Sequence, residues 1–259
     1  MRRSLRYESI CGFPVCGEYK YLGVKLTSKL TMGSQLDYIK YKAFDIQRRL
    51  SPFLHKADLD TKKNLWQVFV RPLIEFVLPL YKWETSKSII QKADSIFRCT
   101  FKLFLGLNRS TENSLVDTLS GFDFRLRAQQ TYEFYTKKWE YRRQGKILNY
   151  SDVPGSVRRA LSPKKANMCK HLPVEFVQYL NATKSFCPIC KTRNTIAHLK
   201  IQHNCQLPDA LTLLGITRRV REAKVPRKES VEMARNIIKP FLEKAQSCIG
   251  SQLKLTLLS

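Results

Sequence analysis

The sequence predicts a mainly α protein: a short N-terminal β-hairpin, a helical bundle, a small cysteine–histidine knuckle and C-terminal helices. Three observations lead there. Apolar residues recur at helical spacing through most of the chain from Ser34 onward, whereas alternation with aromatic and β-branched content is confined to Tyr19–Leu26. Two cysteines and two histidines then cluster between positions 187 and 203.

In order along the chain, Tyr19–Leu26 reads as a strand, with a hairpin partner near Ile10–Val15 across a turn marked by Gly12, Pro14 and Gly17. Ser34–Leu50 carries Leu36, Ile39, Ala43, Ile46 and Leu50 on one stripe, with Lys40, Lys42, Arg48 and Arg49 off it, so a helix with one wet, basic side is expected, stopped by Pro52. A second, central helix from about Asp58 to Trp83 is too densely apolar for one face and is expected to kink at Pro72 or Pro79. A third, capped by Thr85 or Ser86, carries Ile89, Ala93, Ile96, Phe97, Phe101 and Phe104 and closes at Gly106. A short helix near Glu112–Leu119 ends at Gly121. In Phe124–Arg143, Tyr132, Tyr135 and Trp139 share a face surrounded by cations; core packing with a solvated rim is its expected role, with stacking on bases as the alternative. Periodicity fades from Gly145 to Met168, a basic connector and the expected domain boundary. Helices are expected near Pro173–Leu180, at 208–223 and at 228–247.

The knuckle is the most specific motif. Two residues separate Cys187 from Cys190 and four separate His198 from His203, spacing that lets a tight turn aim both sulfurs, and a following segment both imidazoles, at one tetrahedral zinc ion. A loop this small cannot bury its own core, so metal binding and folding are expected to be one event. The expected structural Zn2+ ligands are Cys187, Cys190, His198 and His203, with Cys205 as the substitute for His203.

Charge bounds the function classes. With 46 Lys and Arg against 21 Asp and Glu, the formal net charge is +25, and an excess of this size over a folded chain points to polyanions, nucleic acid first. No apolar run approaches the roughly 20 residues that span a bilayer, and no apolar stretch follows Arg2, Arg3 and Arg6 as in a secretory signal. Eight cysteines are too few for a disulfide scaffold, so an intracellular, reducing setting, nuclear or cytoplasmic and not secreted, is expected. A membrane is not an expected partner.

Three landmarks in order resemble a known family: Tyr21-Leu22-Gly23, Arg71-Pro72 followed by aromatics to Trp83, and Ile90–Leu107 with Gln91-Lys92, Phe97-Arg98 and Leu105-Gly106-Leu107. Together they are similar to the thumb of a non-long-terminal-repeat (non-LTR) retrotransposon reverse transcriptase, an RNA-directed DNA polymerase of transposable elements. Ser120-Gly121-Phe122 and Arg125-Leu126-Arg127 resemble the segment that follows, and the knuckle resembles that of the branch encoding a restriction-like endonuclease, whose last ligand is usually Cys where this chain has His203. The resemblance covers about residues 19–205. It implies a palm-edge hairpin remnant at 1–33, a helical thumb-like domain at 34–145, a basic linker with a short helix at 146–186, the zinc knuckle at 187–205 and a C-terminal helical segment at 206–259. It also implies a grip on template-primer duplex, DNA and/or RNA, through Lys40, Lys42, Arg48 and Arg49 of the first helix and Lys191, Arg193 and Lys200 of the knuckle. The family polymerises with paired palm aspartates holding Mg2+. No Asp-Asp pair occurs here and eighteen residues precede Tyr19, so a C-terminal fragment without a catalytic residue is expected, inactive alone, with Mg2+ needed only if a separate or missing catalytic domain is supplied.

Two rival readings belong to other classes. Pro208-Asp209 followed by Glu222-Ala223-Lys224 matches a restriction-type nuclease pattern, in which Asp and Glu would share a divalent metal. Its residues belong on adjacent strands, while Ala210–Val225 reads as a basic helix or turn, so a chance match is expected. The other rival is a zinc-stabilised helical protein-interaction module. His55 and His171 are expected at the surface or as caps, and Cys99 as a small buried apolar residue.

Overall fold

The computed structural model describes residues 9–10, 13–14, 17–21, 23–28, 31–77, 87–121, 124–146, 168–183, 187, 189–192 and 195–257. Its order is β1 (Ser9–Ile10), β2 (Phe13–Pro14), β3 (Glu18–Tyr21), β4 (Val24–Thr27), α1 (Gly33–Leu54), α2 (Leu59–Phe69), α3 (Arg71–Glu75), α4 (Lys87–Leu105), α5 (Asn113–Ser120) and α6 (Phe124–Arg143). A 3-10 turn (Met168–His171), α7 (Val174–Ala182), α8 (Ile196–His203), α9 (Ala210–Glu222) and α10 (Arg227–Leu257) follow. The fold is mainly helical with short antiparallel strand pairs at the N-terminal end, as the hydrophobic periodicity indicates.

The hairpin differs from the expectation. Tyr19–Leu26 is not one strand: β3 pairs with β4, Tyr21 opposite Val24, and β1 pairs separately with β2. Gly23 turns the chain at φ +85, in the left-handed region that glycine enters without a Cβ penalty. Pro52 does not stop α1, which runs to Leu54. The buried Leu54 side chain rewards one more turn, and a proline in the last turn removes a single ladder bond. The central helix is interrupted rather than kinked. α2 ends at Phe69, and Pro72 lies in the first turn of α3, where its missing N–H has no helical partner to lose. Pro79, Trp83, Thr85 and Ser86 lie outside the described residues.

α4 is the hub of the first part of the chain. Ala93, Ile96, Phe97, Phe101, Phe104 and Leu105 are buried, and Gly106 closes the helix at φ +73. Trp66 of α2 meets Phe97 and Phe101 edge-on, with ring centroids 5.1 and 5.0 Å away, an arrangement the ring quadrupoles favour. Its indole N–H donates to Thr100 Oγ1 at 3.3 Å, so the largest buried side chain leaves its donor partnered. α5 covers the far end of α4 and is tied to it by Arg98, which donates to Asp117 at 3.0 and 2.9 Å.

The C-terminal helices share this core. One apolar cluster runs from Met32 to Ala245 and includes Phe176, Tyr179 and Leu180 of α7 with Ile238 and Leu242 of α10. Polar contacts stitch the halves. Lys63 is buried and donates to the Leu119 carbonyl at 2.8 Å; burial pulls its pKa below the ordinary lysine range. The same carbonyl accepts from the Cys169 thiol, which burial pushes up to about 11. Asn181 of α7 donates to the Gly106 carbonyl and accepts from the Asn108 N–H, at 2.8 and 2.9 Å. Cys99, expected to be buried, is half-exposed on α4.

Truncating Phe97 to Ala should cost about 3–5 kcal/mol, because the void opens beneath Trp66 where packed helices cannot collapse. Denaturant unfolding checks this, and Phe97→Leu should recover most of the loss.

Candidate metal centre and cationic surface

Local backbone chemistry builds the knuckle. Thr195 caps α8 by accepting from the His198 N–H at 3.0 Å, and Asn204, at φ +50, ends that helix directly after His203. Cys187 and Cys190 lie on a turn held by Lys191 N–H donating to the Cys187 carbonyl and by Cys187 N–H donating to Thr192 O, both at 2.9 Å. Lys191 takes φ +51, which bends the turn back, and the Cys190 N–H points at the Cys187 sulfur from 3.4 Å. Leu199, fully buried between the two histidines, anchors α8 to the core.

The four donors converge. Cys187 Sγ is 3.4 Å and Cys190 Sγ 3.7 Å from His203 Nε2, which lies 3.2 Å from His198 Nε2. All four donor atoms lie within 4.8 Å of one another. Around a tetrahedral ion with the usual zinc bond lengths, N to N would be about 3.3 Å and S to N about 3.5 Å. The cluster could therefore hold a metal ion such as zinc. Burial and the adjoining Cys187 thiol raise the Cys190 thiol above its ordinary value. An incoming cation must displace protons from sulfur, which makes loading easier as pH rises.

Cys205 is not a fifth donor. It is joined to Cys248 of α10, 43 residues later, and its N–H donates to the Leu199 carbonyl at 2.9 Å. The structure thus takes Cys205, expected as the substitute for His203, out of the ligand set. The sequence offers no signal for this pair, because Cys248 has no patterned neighbour.

The nuclease-like residues do not converge. Asp209 caps α9, accepting from the Thr212 N–H at 2.6 Å, a bond that holds its carboxyl below the usual range. Glu222 stands at the other end of the same helix, paired with Arg218. Thirteen residues of helix place them roughly 20 Å apart, too far to share one ion.

The expected cationic residues lie on two surfaces. On α1, Lys40 is exposed, and Arg48 and Arg49 both reach Asp45, at 2.9 and 3.0 Å, so two positive charges share one carboxylate. Lys42 turns back over the Tyr38 ring, 5.9 Å from its centroid. In the knuckle, Lys191 and Lys200 are exposed; Arg193 lies outside the described residues. Sequence reading missed that Lys20 and Lys25, opposite one another in the β3–β4 register, also stand over Tyr38, at 5.2 and 5.8 Å. The alternation in Tyr19-Lys20-Tyr21 and Val24-Lys25-Leu26 was the available signal. Like charges facing across a hairpin repel, and the ring together with Glu18, 2.6 Å from Lys25 Nζ, offsets that. His55 caps the C-terminal end of α1, and His171 pairs with Ser230 Oγ at 2.9 Å. Burial, followed by Arg221 and Lys170, lowers the pKa of His171.

Comparison with family models, with curated proteins and with solved structures finds no match. Among the described residues no helix is long and apolar enough to cross a membrane.

Cys187→Ser should abolish stoichiometric metal uptake and raise hydrogen exchange across α8 while leaving α4 protected; elemental analysis and exchange mass spectrometry check both. Asp209→Ala should cost about 1 kcal/mol as a lost cap. A carboxyl whose pKa is lowered by folding contributes its full stabilisation above its unfolded pKa and loses it as pH falls through the lower folded pKa. The wild-type advantage should therefore fade as pH falls through the acid range, as unfolding titrations at successive pH values would show.

Proposed function

We propose that this chain is a zinc-stabilised nucleic-acid-binding fragment of a non-LTR retrotransposon reverse transcriptase, holding template-primer duplex by its backbone. The observation that carries this reading is the convergence of Cys187, Cys190, His198 and His203 in a chain of net charge +25, with Lys191 and Lys200 exposed beside the cluster. Zinc suits the donors: two thiolates and two imidazoles are borderline-soft ligands in a closed set of four, which leaves no open position for a reacting water. Its role is to crosslink the turn to α8 and so fix the lysines in place. The three ordered landmarks, from Tyr21-Leu22-Gly23 to Leu105-Gly106-Leu107, support the family reading.

Lys40, Arg48 and Arg49 would meet phosphates and release counterions, so recognition is of charge and groove shape rather than sequence. Asp45 orients both arginines, and Arg48, hydrogen-bonded to it, holds its carboxyl below the usual range. Lacking an Asp-Asp pair, the chain copies nothing by itself; Mg2+ would enter only with a catalytic domain from elsewhere. Its partners on this reading are DNA and/or RNA, in the nucleus or cytoplasm.

Affinity for an RNA–DNA hybrid, measured by fluorescence anisotropy, should fall by about 10³ or more between low and moderate salt if six or more phosphates are met. Combining Lys40→Glu, Arg48→Glu and Arg49→Glu should reduce the logarithmic salt slope by about 3. Failure to retain the hybrid even at low salt would leave the protein-interaction module as the surviving reading.

A further inference from the structure

The outward strip of α6 fits neither the expected core role nor the backbone grip. Tyr135 is 51 % and Trp139 63 % exposed, although aromatic residues at this spacing were expected to pack inside. The fully buried positions of α6 lie in its first two turns, at Phe124 and Gln130, and further along most positions are half-buried while Tyr135 and Trp139 face outward. Tyr135 and Trp139 are four residues apart on one face, with a separation along the axis of roughly 6 Å. Arg143 lies over the Trp139 ring, 5.3 Å from its centroid. Lys138 and Arg142 lie on the same side of the helix, in a last stretch in which Glu140 is the one acidic residue.

We propose that this strip binds single-stranded nucleic acid, with Tyr135 and Trp139 each stacking on an unpaired base while the flanking cations follow the phosphates. Charge and size choose the occupant. Two exposed rings, Tyr135 meeting Phe134 edge-on with centroids 5.5 Å apart, offer far less than the roughly 800 Å² a side that a stable protein interface buries. A strand with exposed π faces and one negative charge per residue matches both ring and cation. Duplex cannot use the strip in the same way, because its bases are already stacked. This inference rests on the nucleic-acid reading above and adds a surface to it, one that discriminates unpaired from paired strands.

The test measures anisotropy of a labelled oligothymidylate, an oligouridylate and an RNA–DNA hybrid against the wild-type chain, Tyr135→Ala/Trp139→Ala and Tyr135→Phe/Trp139→Phe. All positive charges are kept. The alanine pair should weaken single-strand binding about tenfold or more and leave hybrid affinity unchanged, with the phenylalanine pair restoring most of the loss. Equal weakening for both probes, or no weakening for either strand, overturns the proposal while leaving the duplex grip standing. A change in sedimentation of the alanine pair would instead mean that a second copy covers the strip, which also overturns it. If the wild-type chain binds neither probe, the underlying nucleic-acid reading fails with it.

Discussion

The packing of Trp66 against Phe97 and Phe101 is the contact on which the architecture depends. It locks α2 to α4, and α4 in turn supports α1, α5 and the start of α6. Rings meeting edge to face at this distance contribute beyond their burial, and the Thr100 hydroxyl removes the cost of sinking an indole N–H. α1 then presents Lys40, Arg48 and Arg49 on a helix fixed from beneath, so the cationic face is held rather than merely attached.

A second layer of polar bonds carries that rigidity toward the knuckle. The Leu119 carbonyl, taking Lys63 and Cys169 from different elements, joins α2, α5 and the 3-10 turn at one buried point. Arg227 at the start of α10 reaches Asp58 and Asp60 at 2.9 and 3.4 Å, closing the circuit from C-terminal helix to bundle. The metal cluster sits at the end of this chain of supports, on a helix whose one buried residue is Leu199. Its donors are brought together by the Cys187–Thr192 turn and by α8, with Cys187 and Leu199 buried.

The helices and the ligand quartet were legible because each has a local signature. α4 declares itself through a stripe of period 3.6 closed by Gly106, and the quartet through the spacing of Cys187, Cys190, His198 and His203. What the sequence did not reveal depends on distant partners. Pro52 reads as a stop until Leu54 is seen to be buried. Tyr135 and Trp139 read as core until the face of α6 that carries them is seen to point outward. The Cys205–Cys248 pair is set by how α10 folds back, and no spacing rule reaches across 43 residues of independent helices. Asp209 and Glu222 show the converse: a matching pattern emptied of meaning by the helix between them.

The Asn181 clasp has a practical consequence. Its amide holds both the carbonyl that ends α4 and the N–H two residues beyond, so α7 completes the bundle's own closing turn. Cleaving the polypeptide within 147–167 would not release two self-sufficient pieces. The nicked halves should stay together as complementary fragments, each the missing wall of the other.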